Sequence, residues 1–242
     1  MTTKPISPLS ALGAALTLTA ALAAPAHAQA PAAATQSVAA GAAAPDTSDV
    51  PVPKVYGKRF GPLTPETMTP EQKTMARNMA HGPRGDLRGP ASAYLRSPEL
   101  GDALQQVGAM VRFKIAFPLG VRELAAAMAS RYMNSPYEWA AHSVQSVDAG
   151  IGKDTIDAIG HNKRPKHMKP DEEAVYNFTD DLLQRHSVTD AHFKAVKDRW
   201  GDHGVMDLVG VVGYFVVVGM ALNVDIHPAP PNANPLPGIN VK

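Results

Sequence analysis

Glu138 and His142 stand four residues apart within residues 122–150, which read RELAAAMASRYMNSPYEWAAHSVQSVDAG. On a helix these two side chains share a face, and a carboxylate beside an imidazole is the pairing that general acid-base chemistry uses. Tyr137 and Trp139 flank the acid. Glu123 lies 11 residues before Asn134, close to three turns, so this pair shares a face of the preceding helix while Arg131 projects to one side. A tight turn through Asn134 and Ser135 would bring both faces onto one pocket.

Each of these residues also has a structural role open to it. Ser135-x-x-Glu138 spells a capping box, in which the acid reaches back to the Ser135 amide. His142, on a face with Ala140, Ala141 and Ala149, fits a hydrogen-bonded core histidine by its surroundings alone. Glu123 sits among alanines that allow close helix packing, and a buried carboxylate there needs a partner. Arg131 and Arg112 can each grip a substrate carboxylate in a bidentate fork or make a surface pair. His161, His167, His186, His192 and His203 show no HxH or HExxH spacing, so a dedicated metal site is not expected.

The elements that must position these groups read as helices. Thr69-Pro70-Glu71-Gln72 is a capping box opening a helix to about residue 79, and Ser97-Pro98-Glu99 opens another with Leu100, Leu104, Val107 and Val111 on an apolar stripe. Pro118 starts a third, to about residue 133, and Ser135-Pro136 a fourth that ends on Gly150 as a left-handed cap. Residues 153–159 form a short helix. Residues 169–185 form a longer one with Asp171, Glu172 and Glu173 in its first turn, where acids suit the helix dipole. Thr189 caps a helix that stops before Gly201, and residues 205–222 form the last, so apolar that burial inside a bundle or an oligomer suits it best. Its uninterrupted apolar run, residues 208–222, is shorter than a bilayer span.

The ends differ in character. Lys4, an apolar stretch over residues 9–24 and Ala26-His27-Ala28 have the layout of a secretory signal cleaved after Ala28, so residues 1–28 are expected to be removed and the mature protein to be periplasmic or secreted. Residues 29–53, rich in Ala, Pro, Thr and Ser, read as a flexible spacer. Residues 227–242 are too proline-rich for a helix, although Leu236 and Ile239 can pack an extended arm on a neighbour. An all-α domain over residues 54–226 remains. The 23 basic and 22 acidic side chains among 242 residues leave a net charge of +1, which gives no electrostatic footprint for nucleic acid or an anionic membrane surface. No cysteine is present, which excludes disulfides, thiolate catalysis and thiolate metal sites.

From about Gly89 to Asn223 the chain resembles the carboxymuconolactone decarboxylase family, whose other branch is the alkyl hydroperoxidase D-like proteins. The likeness is carried by Arg122-Glu123-Leu124, by Tyr137-Glu138-Trp139-x-x-His142, by Ala149-Gly150-Ile151 and by the run over residues 207–223. In the peroxidase branch a Glu is followed by Cys-x-x-Cys and then His; counted from Glu123, those positions are Ser135, Glu138 and His142. Both cysteines are missing, so the thiol redox cycle of that branch is not available here. The resemblance implies an oligomeric all-α fold, trimeric or hexameric, with sites between packed helices. It also implies a cofactor-free lyase acting on a small carboxylated, lactone or aromatic-derived substrate. His142 would move the proton, Glu138 would set its tautomer, and Glu123 would serve as a second relay. Tyr137, Ser135, Asn134, Trp139, Arg131 and Arg112 are the candidate substrate-binding residues. An isomerase or hydrolase on the same scaffold, and a non-catalytic oligomeric ligand-binding protein, are the alternatives.

Overall fold

The computed structural model of the chain describes residues 49–239, all within one compact unit, Pro45–Lys242. The expected signal segment and residues 29–48 of the expected spacer lie outside the described residues. Eight helices follow one another and, among the described residues, there is no strand: α1 (Pro70–His81), α2 (Ala91–Tyr94), α3 (Pro98–Phe113), α4 (Leu119–Tyr132), α5 (Pro136–Asp148), α6 (Lys153–Gly160), α7 (Pro170–Arg185) and α8 (Asp190–Asp225). The chain is all-α.

Local signals set most of the helix ends. The Thr69 hydroxyl accepts from the Gln72 amide while the Gln72 side chain accepts from the Thr69 amide at 2.9 Å, so the box predicted for α1 is formed. Gly150, at φ +90, closes α5 with its amide on the Val147 carbonyl and the Ile151 amide on the Ser146 carbonyl. This is the left-handed stop that a glycine makes without strain. The two helices expected on either side of Gly201 run into one another as α8, broken only where Gly201 takes φ 68 and ψ −175, a conformation a residue with a Cβ would resist.

α4 is the hub, packing on α5, α7 and α8. Its alanines at 125, 126, 127 and 129 are fully buried and allow neighbouring backbones to approach closely. The main core adds Phe178 from α7 and Leu208, Val212, Phe215 and Leu222 from α8. A second apolar cluster joins Met75 and Met79 of α1 to Tyr94 and Leu95, and takes in Val50. Residues 49–53 therefore do not behave as the spacer predicted for them: Val50 packs inside, and Asp49 pairs with Arg77. The buried Asp225 carboxylate accepts from the amides of Gly57, Arg59 and Phe60, which ties residues 57–60 to the end of α8.

Two expectations about burial need correction. On α3 the predicted stripe is split, since Leu100 and Val107 are exposed while Leu104 packs on the second cluster and Val111 is buried beside Gly101 and Gly108. Helix-on-helix approach decides this: a Cβ at Gly108 would lie 2.2 Å from the Tyr214 hydroxyl, so only glycine lets α3 come this close to α8. Leu236, in the proline-rich arm, is buried in the core of its own chain rather than on a neighbouring one. α8 is enclosed on most sides, yet Met206, Gly213, Met220 and Val224 are exposed along one line at near-heptad spacing. By length and apolar composition alone α8 reaches what a bilayer crossing needs, and half of its most apolar window is buried.

Candidate active site

The turn between α4 and α5 makes the site. Asn134 adopts φ 48, the Ser135 amide donates to the Ser130 carbonyl, and the Asn134 amide to that of Arg131. The chain thereby reverses within three residues, and α5 returns along α4. Glu123 of α4 and His142 of α5 meet across this hairpin, the imidazole Nδ1 2.6 Å from Glu123 Oε2. On the other edge of the ring, Nε2 lies 3.4 Å from Glu138 Oε2, one turn earlier on α5. That separation makes an ion pair rather than a well-formed hydrogen bond. Neither Nε2 nor Oε2 has a hydrogen-bond partner.

All three side chains are buried, His142 completely, Glu138 and Glu123 to within 3% and 4% exposure. The ring of His142 stands edge-on to Phe215 of α8 at 4.4 Å between centroids. Glu123 also accepts from Arg122 Nη2 at 3.2 Å, and Arg122 is anchored in turn on the Arg112 carbonyl. Burial alone presses the imidazole toward neutrality. The hydrogen bond to Glu123, followed by Glu138 and the charges of both acids, outweighs it and holds His142 above its ordinary 6.5. Burial likewise opposes ionisation of Glu123, but the His142 bond and the charges of His142, Arg122 and Arg112 hold it below its ordinary 4.5. Both directions favour the charged pair, with the Glu123 carboxylate accepting from His142 Nδ1–H.

The three residues expected to do chemistry therefore come together, with one difference in emphasis. The tight contact that fixes the imidazole tautomer is made by Glu123 from the neighbouring helix, and Glu138 faces the open Nε2 edge. The Ser135–Glu138 capping box does not form: the Ser135 hydroxyl caps nothing, and its amide is already taken by Ser130. Glu138 is thus free of backbone duty.

The candidate binding residues divide. Arg112 is close, its guanidinium carbon 5.5 Å from the Phe215 ring centre and its charge acting on Glu123. Tyr137 accepts the Gly89 amide at 3.0 Å and borders a cavity outside the site. Ser135 is fully buried with an unpartnered hydroxyl. Trp139 is a core residue, 1% exposed and packed over Gly160. Arg131 and Asn134 bond to one another and line a different cavity of about 400 Å³, with Lys163, Tyr176 and Asp180, which neither Glu138 nor His142 borders. The left-handed turn is the reason: Asn134 has left the helix on which its alignment with Glu123 depended.

Sequence reasoning missed Arg122, Phe215, the buried Tyr94 and Tyr214, and His227. Burial, foremost, pushes the phenols of Tyr94 and Tyr214 up, and Glu138 contributes to both shifts. His227 follows directly on the end of α8, where its amide caps the helix on the Leu222 carbonyl, and its ring meets Tyr137 edge-on at 5.0 Å. A histidine opening a proline-rich tail has no periodicity to mark it. No family model and no curated protein matches this chain.

Proposed function

We propose that the protein is a cofactor-free lyase of the carboxymuconolactone decarboxylase type, using His142 to transfer a proton on a small carboxylated, lactone or aromatic-derived substrate. The observation that carries this is the His142 ring itself, gripped by Glu123 on one nitrogen and left unpartnered beside Glu138 on the other. Buried imidazoles with a purely packing role are expected to have both nitrogens satisfied. In a decarboxylation the electron pair of the broken carbon–carbon bond passes into an adjacent carbonyl as CO2 leaves. The Nε2–H of His142 then supplies the proton to the resulting enolate carbon. Glu123 stabilises the imidazolium beforehand, and Glu138 exchanges the proton at Nε2 between turnovers. Isomerisation or hydrolysis would use the same proton path.

The exposed line on α8, with Met220 and Val224 sharing an apolar groove with Leu100 of α3, supports assembly into a trimer or hexamer, because exposed apolar surface of this kind is costly in water. Export to the periplasm, or secretion, rests on the layout of residues 1–28. The complete burial of His142 favours a second reading, a ligand-binding protein without turnover. A thermal-shift panel of lactones and aromatic and aliphatic acids, followed by assays of CO2 release and product formation with wild type and His142→Gln, separates the two. Turnover lost in His142→Gln, with the fold retained, supports the lyase. Ligands that stabilise both proteins equally, with no turnover in either, support the binding protein.

A further inference from the structure

The cavity that Arg131 and Asn134 line is bounded by three elements: the end of α4 with the turn after it, the end of α6 with the turn after it, and one face of α7. Its volume of about 400 Å³ is within the range of small-molecule sites. Met128, Ile159 and Leu183, all buried, give it apolar walls. Two amide side chains, Asn162 and Gln184, border the same space and have no hydrogen-bond partner among the described residues.

The cavity carries both signs of charge, and they do not pair. Arg131 gives one Nη to the Asn134 side chain and joins no ion pair among the described residues. Lys163 is exposed, and its ammonium has neither a hydrogen bond nor an ion pair there. Asp180, half-buried on α7, likewise has neither. Burial and the neighbouring Asp181 carboxylate push its carboxyl up, and Arg164 and His192 only partly oppose them. Those two cations are held elsewhere, Arg164 by Glu173 and Asn177 and His192 by Asp181. A half-buried carboxylate without a close cation is unfavourable, and opposite charges within reach of each other would close into an ion pair. Here they border one cavity and stay apart, which suits a ligand that itself carries both signs.

We propose that this cavity binds a dipeptide with apolar side chains, its carboxylate at Arg131 and Lys163, its ammonium at Asp180 and its peptide group at Asn162 and Gln184. The side chains lie against Met128, Ile159 and Leu183, which removes apolar surface from water. Each end of the ligand gives an unpaired group a charge-assisted hydrogen bond, the stronger kind. A dipeptide spans about 7 Å of extended chain between its two charged ends, which suits partners that sit on different helices and do not reach each other. A single amino acid carries both charges on one carbon and meets only one side. Neither Glu138 nor His142 borders this cavity, so the binding goes beyond the lyase reading and does not depend on it.

The test is isothermal titration calorimetry of the full folded protein at neutral pH with L-leucyl-L-leucine, its N-acetyl derivative, its C-terminal amide and free L-leucine. The wild type is expected to bind the dipeptide tighter than each of the other three by about fivefold, because each lacks one charge or the separation between the charges. In Asp180→Asn the dipeptide and its N-acetyl derivative should bind alike, while the preference for the acid over the amide remains. In Lys163→Gln the gap between the acid and its amide should shrink, while the preference for the free ammonium remains. The preference that each variant keeps shows that it has folded. Gln184→Trp, a change at an exposed position on the cavity wall, should weaken the dipeptide by about tenfold. Equal wild-type affinity for the dipeptide and its N-acetyl derivative, or for the dipeptide and free leucine, overturns the proposal. So does dipeptide binding that is absent at millimolar concentration or unchanged by Gln184→Trp. Because the titration reads binding alone, its outcome is independent of whether His142 transfers a proton.

Discussion

Replacing Glu123 by Gln keeps the size of the side chain and removes the charge that holds the imidazolium. In the wild type Glu123 accepts from His142 Nδ1 at 2.6 Å and from Arg122 Nη2 at 3.2 Å, both buried. Hydrogen bonds to charged groups are worth roughly 1.5–3 kcal/mol each, and removing one member of a buried pair costs ~3–5 kcal/mol. Glutamine keeps one accepting oxygen, so a loss of about 2–3 kcal/mol is expected, equivalent to ~4–12 °C in melting temperature for a domain of this size. The pH dependence gives the sharper signature. Glu123 is held below 4.5, so its contribution is complete above pH 4.5 and lost as pH falls through its folded-state value. His142 is held above 6.5, so its contribution is complete below pH 6.5 and lost as pH rises through its folded-state value. The gap between wild type and Glu123→Gln should therefore be widest between pH 4.5 and 6.5 and narrow on both sides. Thermal melts by circular dichroism across pH 3–9 check it. A difference under ~1 °C, or one that does not change with pH, would refute the charge-paired cluster.

Asp225→Ala should cost about 2–4 kcal/mol, since it strands three amide donors, and hydrogen exchange should speed up at residues 57–60 before anywhere else. Asp181 accepts from the Thr189 amide and hydroxyl and from His192 Nδ1, and although burial works against the charge, these bonds hold it at about 2. Its contribution is present above pH 3.8 and fades toward pH 2, so Asp181→Asn should lower the melting temperature at neutral pH and remove part of the loss seen in acid titration. Gly108→Ala should destabilise by ~1–3 kcal/mol through its clash with Tyr214, and the added change Tyr214→Phe should recover part of that in chemical denaturation.

Much of the fold was legible because helix ends carry their own chemistry. Thr69 with Gln72, Pro98, Pro136 and Gly150 each mark a boundary that the structure keeps to within a residue or two. The Glu138–His142 pair was legible for the same reason, since spacing within one helix fixes a shared face. What spacing does not carry is the neighbouring chain. The Ser135 amide was spoken for by Ser130, so a box that reads well locally stayed unmade. Asn134 left the helix in a left-handed turn and took its place in another cavity with Arg131. Leu100 and Val107 match a core stripe, but the glycines at 101 and 108 decided which side of α3 met α8. His227 comes beside Tyr137 only through a contact many residues away along the chain, which no local pattern encodes.

The charged pair makes His142 a buried imidazolium whose Nδ1 proton lies on Glu123 and whose Nε2 edge is open. Nitrogen-15 and proton NMR of the histidine side chains, with His142→Gln used to assign the signal, reads both nitrogens directly across the pH range. His142 is expected to remain doubly protonated above pH 6.5, with a strongly deshielded Nδ1 proton that disappears in Glu123→Gln. A His142 signal that is neutral at pH 6.5 and unchanged by Glu123→Gln would contradict it.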